Sequence, residues 1–414
     1  MASIAPLDLF VPYDVNIKLK RPAKHNLYVG LLAEGSYNVK GWAVNDCNEE
    51  LPSQQVNSLQ IYECQQNLIS MYQGFDANGN LTVTPGKFTQ LIDSIASGPG
   101  GGVSNYQNGL YTPTGKLSAS QIAFATIYGL GRGFYIQGYL PFYFTQLRNV
   151  CWNYSGNNTL FSGALIQQEL INSFAQDSCE LFDLYIYGWK RSGPGDLTVL
   201  IEWQQDFIQR RPMLKSVQPN IRFGLSFPTG LKTDNRHIMS MPFGADGAFT
   251  VPFAGSLTLN LANRVDLGFS AQFWYFANNQ LCRRIKTFSS QTSLLYPVQA
   301  NVQKDFAILQ NFNLFAQIYS FCNRLGLKAC YQYWRQGEDT ITPINSVYSY
   351  EIANSAPQLF ERTQHDLFLA LTYSPLRNDF KRIIPQAQLF VKWALTGTRT
   401  NIASTVGGQF GLIF

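Results

Sequence analysis

Long hydrophobic runs are missing from this sequence. Nowhere do about 18 consecutive apolar residues occur, and the mean hydropathy is -0.10. Together these exclude a helical membrane protein. Charge is scarce too, at 14% Asp, Glu, Lys and Arg, against roughly 25% in an ordinary soluble domain. Histidine occurs only at His25, His237 and His365. No two of these lie at metal-ligand spacing and no Cys-x-x-Cys is present, so neither a metal nor a cofactor is expected. Seven cysteines in 414 residues are too sparse for a disulfide scaffold. No basic run stands behind the net charge of +5, so nucleic acid is not an expected partner. A secretory signal is also lacking, because MASIAPLDLF has no basic stretch followed by an apolar core. Such a start fits a cytosolic chain or a mature exported form with a start Met.

What the sequence does have is aromatic residues (30 Phe, 22 Tyr, 7 Trp) and 33 Gly. Disordered chains are poor in aromatics, and the pattern of these residues is that of strands. In Gln386 to Thr396, Ala387, Leu389, Val391, Trp393 and Leu395 share one face and Gln386, Gln388, Lys392 and Thr396 the other. The same two-residue period runs through 196–206, 221–227, 257–261, 267–273, 325–333, 367–373 and the C-terminal segment. Weaker examples are 27–35, 121–130, 133–144, 180–190, 299–309 and 312–321. Alternation alone fits a soluble sheet with its apolar face packed inward. It fits equally a barrel with that face toward lipid and the polar face toward a wet lumen.

The C-terminus tips the balance. Phe410, Leu412 and Phe414 occupy alternate positions and the chain stops on an aromatic. This ending resembles the terminal strand of bacterial outer-membrane β-barrels. The resemblance implies that Phe410, Leu412 and Phe414 form the assembly signal read by the barrel-insertion machinery. The fold expected is therefore all-β: one closed antiparallel transmembrane β-barrel over residues 1–414 in the outer membrane of a Gram-negative bacterium. Fourteen strands are favoured, with twelve or sixteen open, since such barrels use even numbers of strands of about 9–11 residues. Closure also satisfies the backbone amides that an open sheet would leave exposed in lipid.

Two stretches interrupt the strands. Residues 36–120 hold helical spacing over Asn57 to Tyr72 and, more cleanly, at Phe88, Leu91, Ile92 and Ile95 before Gly98-Pro99. They are expected to form a helical insertion acting as cap or plug. Residues 145–179, with Ile166, Leu170, Ile171 and Phe174 at helical spacing, are expected to be a loop that constricts the lumen. Cys151 and Cys179 flank that loop and would form a disulfide in an oxidising exterior; free thiols are the alternative. Gly129-x-Gly131-x-Gly133 precedes a strand rather than a helix, so it reads as a hairpin turn and not a dinucleotide site. Asp76 to Asn80 opens like a calcium loop, but Leu81 and Lys87 stand where Gly and Glu are required. A turn is the default there.

Gly195-Asp196-Leu197, then Arg222 to Phe227 followed by Pro228-Thr229-Gly230, resemble a family of outer-membrane transporters associated with phenol meta-pathway degradation clusters. Gly133 to Pro141 is similar to an earlier strand of that family. The match covers about 120–414, and the insertion at 36–120 departs from it. The resemblance implies a transporter. The inward positions then become lumen-lining candidates: Asp183, Glu202, Arg222, Lys328, Asp366 and Lys392, with Tyr135, Tyr139, Tyr185, Tyr187 and Trp334. Three acids against three bases predict weak ionic selectivity. A porin-like channel for passive passage of small solutes is the function expected, with the lipid bilayer as partner. The alternative is a structural or adhesin-type surface protein that uses the barrel as an anchor. No catalytic motif is found, so no enzyme is expected.

Overall fold

In a computed structural model, residues 27–43, 55–75, 81–83, 86–96, 106–320, 324–373 and 383–414 are described. His25, Asp76 to Asn80 and Gly98-Pro99 lie outside them. Twelve strands form a closed antiparallel meander: Leu27–Trp42, Leu110–Gly131, Phe134–Tyr154, Leu197–Gln204, Leu214–Phe227, Thr250–Leu261, Val265–Phe276, Leu309–Tyr319, Leu325–Gln336, Arg362–Tyr373, Ile384–Thr398 and Thr405–Ile413. The first strand closes the ring on the last, from Tyr28 opposite Ile413 to Gly35 opposite Val406. Its other edge runs beside Leu110–Gly131.

The expected fourteen strands become twelve because two segments alternate without adding a strand to the ring; of the first, only Trp189 and Lys190 reach the wall, at the start of the short segment Trp189–Pro194 beside Phe134–Tyr154. Residues 180–190 begin as the end of a helix, Ala164–Phe182, which stops where Asp183 turns left-handed at φ 49°. Beyond it, Tyr185 makes only an isolated bridge to His237. Residues 298–305 are a strand, but they pair with 279–285 and 340–343 in a separate three-stranded sheet. A period of two reports extended backbone; it does not report which neighbour that backbone finds.

Short links join the strands at one end, where Leu27 and Phe414 also meet through the Phe414 N–H and the Leu27 carbonyl at 2.9 Å. By the rule for such barrels this is the periplasmic end, and the long loops face outside. At the Gly131-Arg132-Gly133 turn all three φ values are positive, 91°, 52° and 85°. A Cβ on Gly133 would lie 2.4 Å from the Gln204 carbonyl oxygen, so the neighbouring strand leaves room only for glycine. On the outer wall apolar side chains stand exposed, for example Ile201 at 55% and Leu389 at 66%. Near the extracellular end Phe273, Phe312, Tyr333 and His365 form a chain of ring contacts, as an aromatic girdle requires.

Both interruptions are shorter than expected. The first strand continues to Trp42, the second begins at Leu110, and the third runs on to Tyr154. Above the membrane an exposed strand no longer needs apolar outward residues, so Lys116, Arg148 and Asn149 erase the alternation while the ladder persists. Lys87–Ala96 and Ala164–Phe182 are helices. The helical spacing over Asn57–Tyr72, however, resolves into two 3-10 turns, Ser58–Gln60 and Ile69–Tyr72. The Asn57 and Asn67 side chains accept the N–H groups of Leu59 and Ile69, a local alternative to an α-helix.

Candidate channel lumen

Alternation places Glu202, Arg222, Lys328, Asp366, Lys392, Tyr135, Tyr139 and Trp334 on the barrel interior, at positions that burial and register define. Glu202 and Arg222 lie directly opposite on neighbouring strands, with Nε to Oε2 at 3.4 Å. Asn220 donates to both Glu202 and Gln204. Across the interior, Asn313 donates to the Ser270 hydroxyl at 3.1 Å and Gln364 donates to Asp366 at 2.8 Å. The Lys328 ammonium rests 4.8 Å from the centre of the Phe315 ring. Phe315, Cys330, Phe368, Ala370 and Phe390 line this same sector as an apolar patch inside the barrel. Glu202 is 0% exposed and Lys328 and Asp366 are each 1% exposed; Glu202 meets Arg222, while Lys328 lies over Phe315 and Asp366 accepts from Gln364.

Three of the expected lumen residues lie elsewhere. Asp183, Tyr185 and Tyr187 follow the Ala164–Phe182 helix in an extracellular loop and are exposed. Asp183 pairs with Arg236 at 3.2 Å, and Arg236 lies over the Tyr185 ring. The acid lost from the interior is replaced by Glu34. This residue accepts from Gln121 and, at 3.3 Å, from Thr405, across the closing seam. Glu34 was legible as the one acid inside an apolar first strand. Tyr143, buried on the interior face at 2% exposure, was hidden because it was counted as the end of a strand rather than its middle.

An apolar core forms at the extracellular ends of the strands. Leu59, Leu68, Ile69 and Tyr72 of the first insertion join Phe88, Phe174, Leu147 and Trp152 in one buried apolar core. Asp177 binds this core from within, accepting from the Tyr72 hydroxyl and the Phe88 N–H, both at 2.8 Å. Burial and that carboxylate push the Tyr72 phenol well above its ordinary value. Residues 290–294 sew the insertion to the 277–308 loop: Leu294 N–H donates to Gln66 at 3.0 Å and Ser290 to Gln73 at 2.6 Å. Arg284 uses its whole guanidinium on backbone carbonyls, those of Phe182, Asp183, Asn235, Tyr296 and Pro297. Its burial lowers the Arg284 pKa to about 10. Lys304 meets Asp339 at 2.7 Å, both nearly inaccessible. Burial alone would raise the Asp339 carboxyl, but Lys304 and Arg362 hold it below the usual range.

The expected disulfide is absent: Cys151 and Cys179 are free thiols. Trp152 points inward to contact Phe174 of the helix at 6.3 Å. Its neighbour Cys151 therefore points outward, away from the helix that carries Cys179. Cys64 is the disulfide-bonded one among the described residues.

The two short motifs meet in space. Asp196 accepts from the N–H groups of Gly230 at 2.9 Å and Ala245 at 2.7 Å. The Thr229 hydroxyl accepts from the Leu197 N–H at 2.9 Å and donates to the Gly195 carbonyl at 3.0 Å. This clasp fixes the break between Trp189–Pro194 and Leu197–Gln204, where one interior strand is served by two segments.

A closed barrel with an apolar outside, a hydrogen-bonded polar inside and an aromatic girdle is an outer-membrane β-barrel, placed in the bacterial outer membrane. No helix among the described residues is long and apolar enough to cross a membrane. No family model and no curated protein matches the sequence. Among solved structures the chain is similar in fold to an outer-membrane channel from Pseudomonas putida F1, at 10% identity and TM-score 0.50, covering 97% of this chain and 100% of that one. The Ralstonia pickettii toluene transporter TbuX aligns at 10% identity and TM-score 0.33 over 95% of this chain and 90% of that one.

Proposed function

We propose that the protein is an outer-membrane channel for passive passage of small solutes, held closed in this conformation by its extracellular cap. The observation that carries this reading is the interior of the barrel. A barrel serving only as an anchor gains most from a dry, apolar filling. This one instead spends its interior positions on Glu34, Glu202, Asp366, Arg222, Lys328 and Lys392 with a surround of Gln, Asn and Ser. Several of these side-chain atoms, such as Gln272 Oε1 and Gln332 Oε1, have no protein partner, which is tolerable only where water or solute reaches them. Three acids against three bases give a lumen of weak ionic preference, and Tyr135, Tyr139 and Trp334 supply flat surfaces beside it.

The anchor reading is favoured by the cap, whose apolar core seals the mouth. Planar-bilayer conductance separates the two. A variant in which a short Gly/Ser linker replaces residues 55–109 is expected to show frequent stepwise openings, with the full chain opening rarely. A folded variant of this kind that never conducts would reject the channel.

A further inference from the structure

The outer wall carries a depression among the described residues. In the row formed by Leu259, Leu267, Ala316, Ala329 and Leu369, consecutive residues are register partners or neighbours on adjoining strands, and its two central positions are alanine. The row toward the extracellular side holds Phe269, Leu314 and Tyr331; the row toward the periplasm holds Val265, Ile318 and Leu327. Ile318 and Leu327 are 57% and 59% exposed and stand proud of the wall. On the extracellular side of this last row lies a hollow of about 650 Å³ with an almost wholly apolar lining, walled by Leu257, Phe269, Leu314 and Tyr331 and floored in part by Gly268. The hollow is shallow and open toward the lipid.

The foot of the same strands is basic. Arg264 ends the turn before Val265–Phe276, three residues or roughly 10 Å along the strand from Leu267. Arg324 immediately precedes Leu325–Gln336. Both are exposed, and the Tyr319 N–H donates to the Arg264 carbonyl at 2.8 Å, so the two turns flank one strand end. The neighbouring hairpin adds Arg210, Arg211 and Lys215 against Asp206, and beside them Ile208 is 85% exposed and Met213 67% exposed. Cations and apolar side chains at one rim are what a headgroup interface favours.

We infer that the hollow and its arginine foot are a binding site for a phospholipid of the periplasmic leaflet with an anionic headgroup. One acyl chain lies over Ala316 and Ala329, and the phosphate meets Arg264 and Arg324, whose guanidinium forks suit phosphate oxygens. A second copy of the chain fits this face less well. Packed by this same face, it would set its own arginines against Arg264 and Arg324.

The test uses the full-length protein in detergent and native mass spectrometry, with added phosphatidylglycerol or phosphatidylcholine of identical chains. The wild type is expected to retain phosphatidylglycerol about tenfold better. Filling the hollow with Ala316→Leu and Ala329→Leu, outward changes that leave the ladder intact, should cut retention of both lipids at least fivefold. Arg264→Gln with Arg324→Gln should erase the preference between headgroups while chain binding persists. Equal retention of the two lipids by wild type overturns the proposal, as does undiminished retention in the filled variant. So does a wild-type dimer that dissociates when the hollow is filled, which would assign the face to a second copy. A heat-dependent gel shift establishes that each variant is folded; if the filled variant is not, Ala329→Leu alone and the arginine pair decide. Conductance is unaffected by these changes, so the channel reading stands or falls separately.

Discussion

Within one barrel the interior is built in two opposite ways. Near the extracellular rim the space is dry: Tyr72, Phe88, Phe174 and Trp152 interlock, and Asp177 among them accepts from the Tyr72 hydroxyl and the Phe88 N–H. Lower down the same twelve strands enclose Glu202, Arg222, Asp366 and a field of amides. Apolar filling stabilises a fold whatever the protein does. Buried charge does so poorly, because desolvation offsets the attraction. On the proposed reading, the cap holds shape and the middle is where a polar solute is met.

The largest effect expected is in the cap. Phe174→Ala removes a ring from contact with Tyr72, Phe88 and Trp152 and should cost about 3–5 kcal/mol, read as a lowered urea midpoint for the folded, heat-modifiable form. Glu202→Gln sharpens the contrast. It leaves Arg222 beside a neutral amide, a change worth about 3–5 kcal/mol in a dry core; in a wet lumen the loss should stay near 1 kcal/mol and the reversal potential should shift toward anions. A loss as large as that of Phe174→Ala would make the middle as dry as the cap.

Arg284→Lys tests what joins the loops. One ammonium cannot serve five carbonyls, and a loss of about 2 kcal/mol is expected, with earlier proteolysis in the 279–305 region. Acid acts on the same region. Asp339 is held below its usual range, so its contribution is present above the unfolded value near pH 4 and is lost as pH falls below it. The loops should open before the barrel does, detectable as protease sensitivity at low pH with the gel shift preserved; simultaneous loss would contradict it. Removing Phe414 should cost under about 1 kcal/mol of stability, because the residue contributes one backbone hydrogen bond and a lipid-exposed ring. Assembly in cells should nonetheless fail, and normal assembly would argue against reading the C-terminus as a signal.

The facing of side chains was legible wherever lipid enforces it. Leu197, Val199, Ile201 and Trp203 lie outside and Thr198 and Glu202 inside; Ile221 to Phe227 follow the same rule. Pairing was not legible, and that alone turned twelve strands into fourteen and sent Asp183, Tyr185 and Tyr187 to the wrong side of the wall. The irregular insertion was read as more helical than it is, since Asn57 and Asn67 impose local turns beneath a helix-like spacing. Glu34 belongs to the closing seam, a relation between the two ends of the chain that no local window contains.

The clasp of Asp196 and Thr229 has a bearing on kinship. Two peptides about thirty positions apart depend on each other's amides and hydroxyls, so relatives sharing this wall would keep both together or lose both together. Likeness at those peptides is therefore a hallmark of how the cylinder is stitched, and it carries no information about the cargo.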